Sequence, residues 1–301
     1  MDIDTRLLRS FNAVAEEGNL TRAAQRLFVA QPALTKQIKQ LESRLGVPLF
    51  IRSRAGMELT AAGRALAGEA AGVLSHWDRA VREARGAAGR EARVLRVGFV
   101  ASAANEATPR ILAEFARRRP EWRVSLRHTD WTDPSAGLAD GEVDTALVRL
   151  PFPGEDAFRV EVLFTEPRWV ALWDAHPLAA LDEVPFGRLR DEPFVAAPLE
   201  TGAWRDFWVG DDAGDGRTAV IGAVARNTDE WLAAIAGGHG VSLTPAASAR
   251  FYRRPGVTYR PVSGLTPTRV GVAWASAPTT DPTVQDFVRC CLTEAHGGPA
   301  A

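Results

Sequence analysis

Between residues 20 and 45 apolar side chains recur at intervals of three and four, at Ala23, Ala24, Leu27, Leu34, Ile38, Leu41 and Leu45. That spacing gathers them on one seam of two short helices. Pro32 is tolerated only in a helix's first turn, so the second helix should start near Ala30 or Gln31, with residues 28–31 as the turn. Thr21 can cap the first helix through its hydroxyl, and the small Ala23 and Ala24 let the second helix come close. The segment reads as a helix-turn-helix. A second periodic run, Leu59, Ala62, Leu66, Ala70, Val73, Trp77, Ala80 and Ala84, predicts a long helix over residues 60–88 with coiled-coil spacing. Gly63, Gly68 and Gly72 each weaken such a helix by about 1 kcal/mol relative to Ala, so a packing partner is needed to hold it.

The texture changes after the small and polar stretch GAAGREA at 86–92, which suits a hinge. From Val94 onward strand-like runs (VLRVGFV, EWRVSLRHT, VDTALVRLP) alternate with a helix-like one (AANEATPRILAEFARRRP), the pattern of a parallel sheet covered by helices. A second α/β pattern begins near Glu166, with PRWVALW, PFVAAP, AWRDFW, TAVIGAVA, DEWLAAIAGG and VSLTPAA. The last strand, TRVGVAWAS, and a helix from Asp281 are expected to return to the first lobe. The expected fold is therefore α/β, with two lobes and a cleft between them in which a ligand could lie.

Charge sharpens this picture. The formal net charge is only -1, yet residues 1–90 hold 14 Lys+Arg against 9 Asp+Glu, leaving 22 against 28 in the remainder. The only two lysines, Lys36 and Lys39, both fall on the second helix of the motif. Gln31, Thr35, Lys36 and Lys39 point away from the apolar seam, and their amide, hydroxyl and ammonium groups suit base edges and phosphates of double-stranded DNA. No stretch of about 18 apolar residues could span a membrane, and no charged-then-apolar leader opens the sequence, so a cytoplasmic protein is expected. Cys290 and Cys291 are adjacent, where a bridge would be badly strained, so no structural disulfide is expected.

Residues 8–63 carry "TRAAQRL", "QPALTKQIKQLE", "LGVPLF" and "LTAAG", and on these motifs the segment resembles the LysR-type transcriptional regulators. The resemblance implies a winged helix-turn-helix over residues 1–60, with a wing of two short strands at 49–51 and 57–59. Arg52, Ser53 and Arg54 would stand at its tip, beside phosphate or the minor groove. It also implies a dimerising linker helix at 61–88, a hinge at 89–93 and an effector-binding domain at 94–301. In that domain lobe I would span about 94–164 and 268–301, and lobe II about 165–267. The DNA-contacting set implied is Thr21, Gln31, Pro32, Thr35, Lys36, Lys39, Arg52, Ser53 and Arg54. Ala30 departs from the family pattern, standing where a serine usually caps the recognition helix.

The second half, through "LRVGFVASAA", "LADGEVDTALVRLP", "DAHPLA", "AIAGGHGVSLTP" and "RPGVTYRPV", resembles the same family's effector domain, whose fold is that of periplasmic solute-binding proteins. Open α/β sheets bind ligands beyond the carboxyl ends of their strands. On that ground, and by resemblance, Ser102, Thr129, Arg149, Thr201, Trp204 and Asn227 are the expected effector positions. Each hydroxyl or amide could instead be a helix cap, and Arg149 an ion pair on the lobe surface. If the set is right, Arg149 and Trp204 favour a small anion or carboxylate with some apolar body. A homo-oligomer, dimer or tetramer, is implied, and no cofactor or metal is expected. The rival classes are an enzyme or a ligand carrier on the same two-lobed fold. The chain has no H-E-x-x-H, G-x-S-x-G, C-x-x-C or P-loop pattern, and its five histidines are scattered.

Overall fold

The computed structural model describes residues 4–27, 29–53, 56–101, 107–213, 218–276 and 281–295. The chain divides into two compact units, Met1–Ala84 and Arg85–Ala301.

The first unit begins with α1 (Thr5–Glu17), α2 (Leu20–Arg26) and α3 (Gln31–Leu45), followed by β1 (Phe50–Ser53), β2 (Gly56–Leu59) and the start of α4 (Ala61–Glu91). Its core is built from the apolar seam. Leu7, Phe11 and Val14 of α1, Ala23 and Ala24 of α2, and Leu34, Ile38 and Leu41 of α3 are buried together with Leu49 and Phe50. The rings of Phe11 and Phe50 lie 5.3 Å apart. The start of α3 agrees with the position of Pro32. The first cap does not fall on Thr21. Asn19 adopts an extended backbone and its side chain accepts the N–H groups of Thr21 and Arg22, so α2 starts at Leu20 and Thr21 is an exposed first-turn residue. The wing is also shifted from its expected register. Arg52 pairs with Met57 and Ser53 with Gly56, so these two belong to the ladder itself.

The expected hinge is helical. α4 continues to Glu91 because its last turns are tied down: Arg85 donates to the carbonyls of Asp140 and Gly141, and Arg90 pairs with Asp281 at 3.0 Å. Only Ala92 and Arg93 separate the helix from the next strand.

The second unit contains β3 (Val94–Val100), α5 (Ala107–Arg118), β4 (Arg123–Thr129), β5 (Thr145–Leu150) and β6 (Phe158–Glu166). The chain then crosses to β7 (Arg168–Trp173), β8 (Val184–Pro185), β9 (Phe194–Ala196), α6 (Ala203–Val209), β10 (Ile221–Val224), α7 (Thr228–Ala236), β11 (Ser242–Pro245), α8 (Ser248–Phe251) and β12 (Val257–Ser263). It returns through β13 (Thr268–Ala275) and ends with α9 (Pro282–Ala295). The first lobe holds a five-stranded sheet of order β4-β3-β5-β13-β6, and the second a four-stranded sheet of order β11-β7-β12-β8 beside the pair β10-β9.

The sheets are mixed rather than parallel throughout. Only β4, β3 and β5 run parallel in the first lobe; the returning β13 is antiparallel to both neighbours. A strand that crosses back from another lobe has no helical crossover to set its direction, and β6 and β13 pair as antiparallel neighbours. The α5 and α9 helices close the outer face of the first lobe, where Phe115 and Phe287 meet edge to face at 5.6 Å. Cys290 and Cys291 are buried free thiols in this layer, and burial raises the pKa of both.

In the second lobe, Arg168 is the largest fully buried side chain. Its guanidinium is met by both Asp212 carboxylate oxygens, at 2.9 and 2.6 Å, and by the carbonyls of Phe207 and Thr266. The ring of Phe207 lies under it, 4.1 Å from the guanidinium carbon. A buried charge is tolerated when it is fully paired in this way.

Candidate functional site

On α3 the residues that avoid the core form one face. Gln31, Pro32, Lys36 and Lys39 are exposed, and Thr35 is half-buried. The Thr35 hydroxyl donates to the Gln31 carbonyl at 3.0 Å and accepts from the Gln31 side-chain amide at 3.3 Å, so these two present one polar patch. Lys36 and Lys39 are exposed on the same helix and add charge beside it. The helix is held in place from behind by Gln37, whose side-chain oxygen accepts the Ser10 hydroxyl of α1 at 2.6 Å. Glu42 accepts the N–H groups of Leu49 and Phe50, at 2.8 and 3.2 Å, and so joins the end of α3 to the wing.

Ala30 provides no side-chain cap to α3, and the Gln31 side chain turns to Thr35 instead of replacing it. Arg52 is exposed on β1, beside the turn of the wing. Arg54 lies outside the described residues. Exposed cations next to a protruding polar helix face can neutralise phosphates while amide and hydroxyl groups meet base edges.

The second unit holds a partly open cavity of about 50 Å³ at the carboxyl ends of β3, β5 and β9. Arg149 and Trp204 are among the residues that line it. The guanidinium of Arg149 is 3% exposed, and its Nη1 lies 2.8 Å from Oε1 of Glu166. It is therefore a buried ion pair on the cavity wall, not one on the lobe surface, and an incoming carboxylate would have to compete with Glu166 for it.

The other expected positions behave differently. The Thr129 hydroxyl donates to the Asp133 carbonyl at 3.2 Å and shapes the following turn. Thr201 is buried and donates to the Pro198 carbonyl at 2.7 Å. Asn227 caps α7: its side-chain oxygen accepts the Glu230 N–H, and its side-chain amide donates to the Glu230 carboxylate. None of these three lines the cavity. Each has its polar group satisfied locally. Ser102 lies outside the described residues.

Sequence reasoning did not single out the residues that give the cavity its character, Trp131, Trp231 and the hydroxyls of Ser242, Thr244 and Ser248. Trp131 follows β4 in the first lobe, and its backbone N–H donates to the Arg226 carbonyl of the second at 2.7 Å. Its ring lies 6.0 Å from both Trp204 and Trp231. The available signal was composition: nine tryptophans occur in 301 residues, and Trp131, Trp204, Trp208 and Trp231 converge here.

A winged helix-turn-helix followed by a helix and a two-lobed α/β unit with a cleft defines a class of ligand-responsive DNA-binding proteins. The chain belongs to the LysR family of transcriptional regulators. Residues 5–64 match the family profile described as bacterial regulatory helix-turn-helix protein, lysR family, and residues 88–296 match the LysR substrate binding domain. Among its relatives, the Hca operon transcriptional activator HcaR of Escherichia coli is 33% identical over 288 residues, 95% of this chain and 96% of that one. The HTH-type transcriptional regulator BudR of Raoultella terrigena is 33% identical, covering 90% of this chain and 94% of its own. The crystal structure of full-length CbnR complexed with its target DNA matches with a TM-score of 0.53 and 27% identity, over 97% of this chain and 100% of that one. These domains and relatives are those of transcriptional regulators, not enzymes. Among the described residues no helix is long and apolar enough to cross a membrane.

Proposed function

We propose that this regulator reads promoter DNA with the exposed face of α3 and takes its effector in the tryptophan-lined cavity. Gln31 and Thr35, with Lys36, are assigned to base edges. Lys39, Arg52, Ser53 and Arg54 are assigned to phosphate, and Thr21 and Pro32 to the rim of the contact. The observation that carries this reading is the sorting of α3 into two faces, with Leu34, Ile38 and Leu41 buried while Gln31, Lys36 and Lys39 remain exposed. Since DNA is the partner, the cytoplasm is the compartment.

The exposed second part of the α4 seam supports a homo-oligomer. Ala62, Leu66 and Ala70 pack on the core of the first unit, whereas Val73 and Trp77 are each 51% exposed and Ala80 and Ala84 are exposed as well. A second copy laid along this seam would cover them and place two recognition helices on a two-fold site. The effector acts by linkage, favouring the lobe and subunit arrangement that it binds better.

The test is a binding titration at fixed salt, on the DNA upstream of the chain's own gene and on a scrambled duplex. Native protein should prefer the former, and a Gln31→Ala/Thr35→Ala variant should lose that preference. Affinity for both duplexes should fall steeply as salt rises. Equal binding of native protein to both duplexes would overturn the assignment of α3 as the reading face.

A further inference from the structure

We propose that the effector of this chain is a small planar aromatic molecule with a neutral hydrogen-bond acceptor and no net negative charge. The inference rests on the reading of the tryptophan-lined cavity as the effector site.

The rings of the cavity wall meet one another at steep angles. Trp131 meets Trp204 at 60° and Trp231 at 64°, Trp204 meets Trp208 at 69°, and Trp231 meets Tyr252 at 82°. All of these residues line the cavity, and no two of these rings lie flat on one another. Aromatic pairs favour offset-stacked or edge-to-face contact. The walls therefore offer a flat guest both edges and faces, whereas a puckered aliphatic ring of equal size gains only its apolar area.

The charge of the cavity wall is already compensated. Among the described lining residues Arg149 is the one charged side chain, and it is held by Glu166. The start of α7 reaches the cavity through Thr228, but its first turn already carries Asp229 and Glu230, which take up the favourable potential of that helix end. A buried carboxylate would thus find no uncompensated cation among the described walls.

One buried polar group of the wall lacks an acceptor. Trp204 is 5% exposed, and its indole N–H has no hydrogen-bond partner among the described residues. A buried donor of this kind is destabilising, and a small shift of the Trp204 ring on binding would bring it to a carbonyl or hydroxyl oxygen of the guest. Trp131 comes from the first lobe, and Trp204, Trp208 and Trp231 from the second. A ring seated among them touches both lobes and can bias their arrangement.

The experiment titrates the full-length protein with three probes of matched size: benzamide, benzoate and cyclohexanecarboxamide. It follows tryptophan fluorescence and heat, on native protein, Trp231→Leu and Glu166→Gln, with each fold checked by circular dichroism. On native protein benzamide should bind at least about tenfold more tightly than either other probe. Trp231→Leu should weaken benzamide by a similar factor, and Glu166→Gln, which removes the carboxylate charge facing Arg149, should move the preference toward benzoate.

Benzoate binding native protein as well as benzamide does, or cyclohexanecarboxamide matching it, would overturn the proposal. So would an absence of saturable benzamide binding up to about 10 mM. If benzoate is preferred and Trp231→Leu abolishes its binding, the cavity remains the effector site and only the ligand class fails. If probes bind natively and in Trp231→Leu alike, the site assignment itself fails.

Discussion

Glu166 holds Arg149 with one carboxylate oxygen, Oε1 to Nη1 at 2.8 Å, and accepts the Ala247 N–H with the other at 2.9 Å. One side chain at the end of β6 thereby joins the cavity wall of the first lobe to the link between β11 and α8 in the second. Glu166→Gln leaves a cation in a nearly dry site, and loss of one partner from a buried pair costs about 3–5 kcal/mol. Scanning calorimetry of the full chain should show a lowered transition for Glu166→Gln and for Arg149→Met. The double variant should recover much of the loss, because the uncompensated charge is gone. Strictly additive losses would show that the pair does not act as a unit.

The Arg168–Asp212 pair makes stability in the second lobe depend on acid. Burial works against the Asp212 carboxylate, but hydrogen bonds from Arg168 and Thr266 and the Arg168 charge outweigh it and lower its pKa. A lowered folded-state pKa contributes stability that is complete above the ordinary Asp range, near about pH 4, and is lost as pH falls through the folded value. Asp212→Asn should cost roughly 3 kcal/mol at neutral pH. Its deficit against native protein should shrink in thermal melts taken below about pH 4.

Three glycines in α4 should respond in opposite directions. A Cβ on Gly63 would lie 2.2 Å from the Leu49 carbonyl oxygen, whereas at Gly68 and Gly72 nothing lies within 4 Å. Gly63→Ala should push α4 away from the wing and destabilise the first unit by about 1–3 kcal/mol despite the better helix former. Gly68→Ala or Gly72→Ala should stabilise by about 0.5–1 kcal/mol. Urea unfolding followed by helix circular dichroism checks both signs.

Ala30→Ser should supply the side-chain cap that α3 lacks. The expected gain is about 1 kcal/mol in stability of the first unit, with tighter binding to the upstream duplex because the reading helix frays less at its start. Unchanged stability in the same urea assay would show that the first turn of α3 is already held by its packing.

The sequence was legible wherever the determinant is local. The three-and-four spacing and Pro32 located α3 and its buried face, and β3 (Val94–Val100) coincides with the apolar run VLRVGFV. Strands β6 and β12 were not picked out. β6 is an edge strand with one fully buried position, Leu163, and β12 is half-buried throughout, so neither leaves a continuous apolar run. The α2 cap was missed because Asn19 and Thr21 are both competent capping types two residues apart. Which one adopts the extended backbone decides the matter.

What the sequence by itself determined is the helix-turn-helix, the long helix after it, and the alternation of strands and helices in the second half, since these follow from periodicities within a few residues. Tertiary structure alone decided which chemistry the cavity offers. Trp131, Arg149, Trp204 and Trp231 come from separate elements of two lobes, and they meet only because the chain crosses between the sheets and returns. It also decided that Arg149 faces Glu166 and that Gly63 lies under the Leu49 carbonyl. Such contacts depend on strand order and the path of the crossings, and no local spacing of residues encodes either.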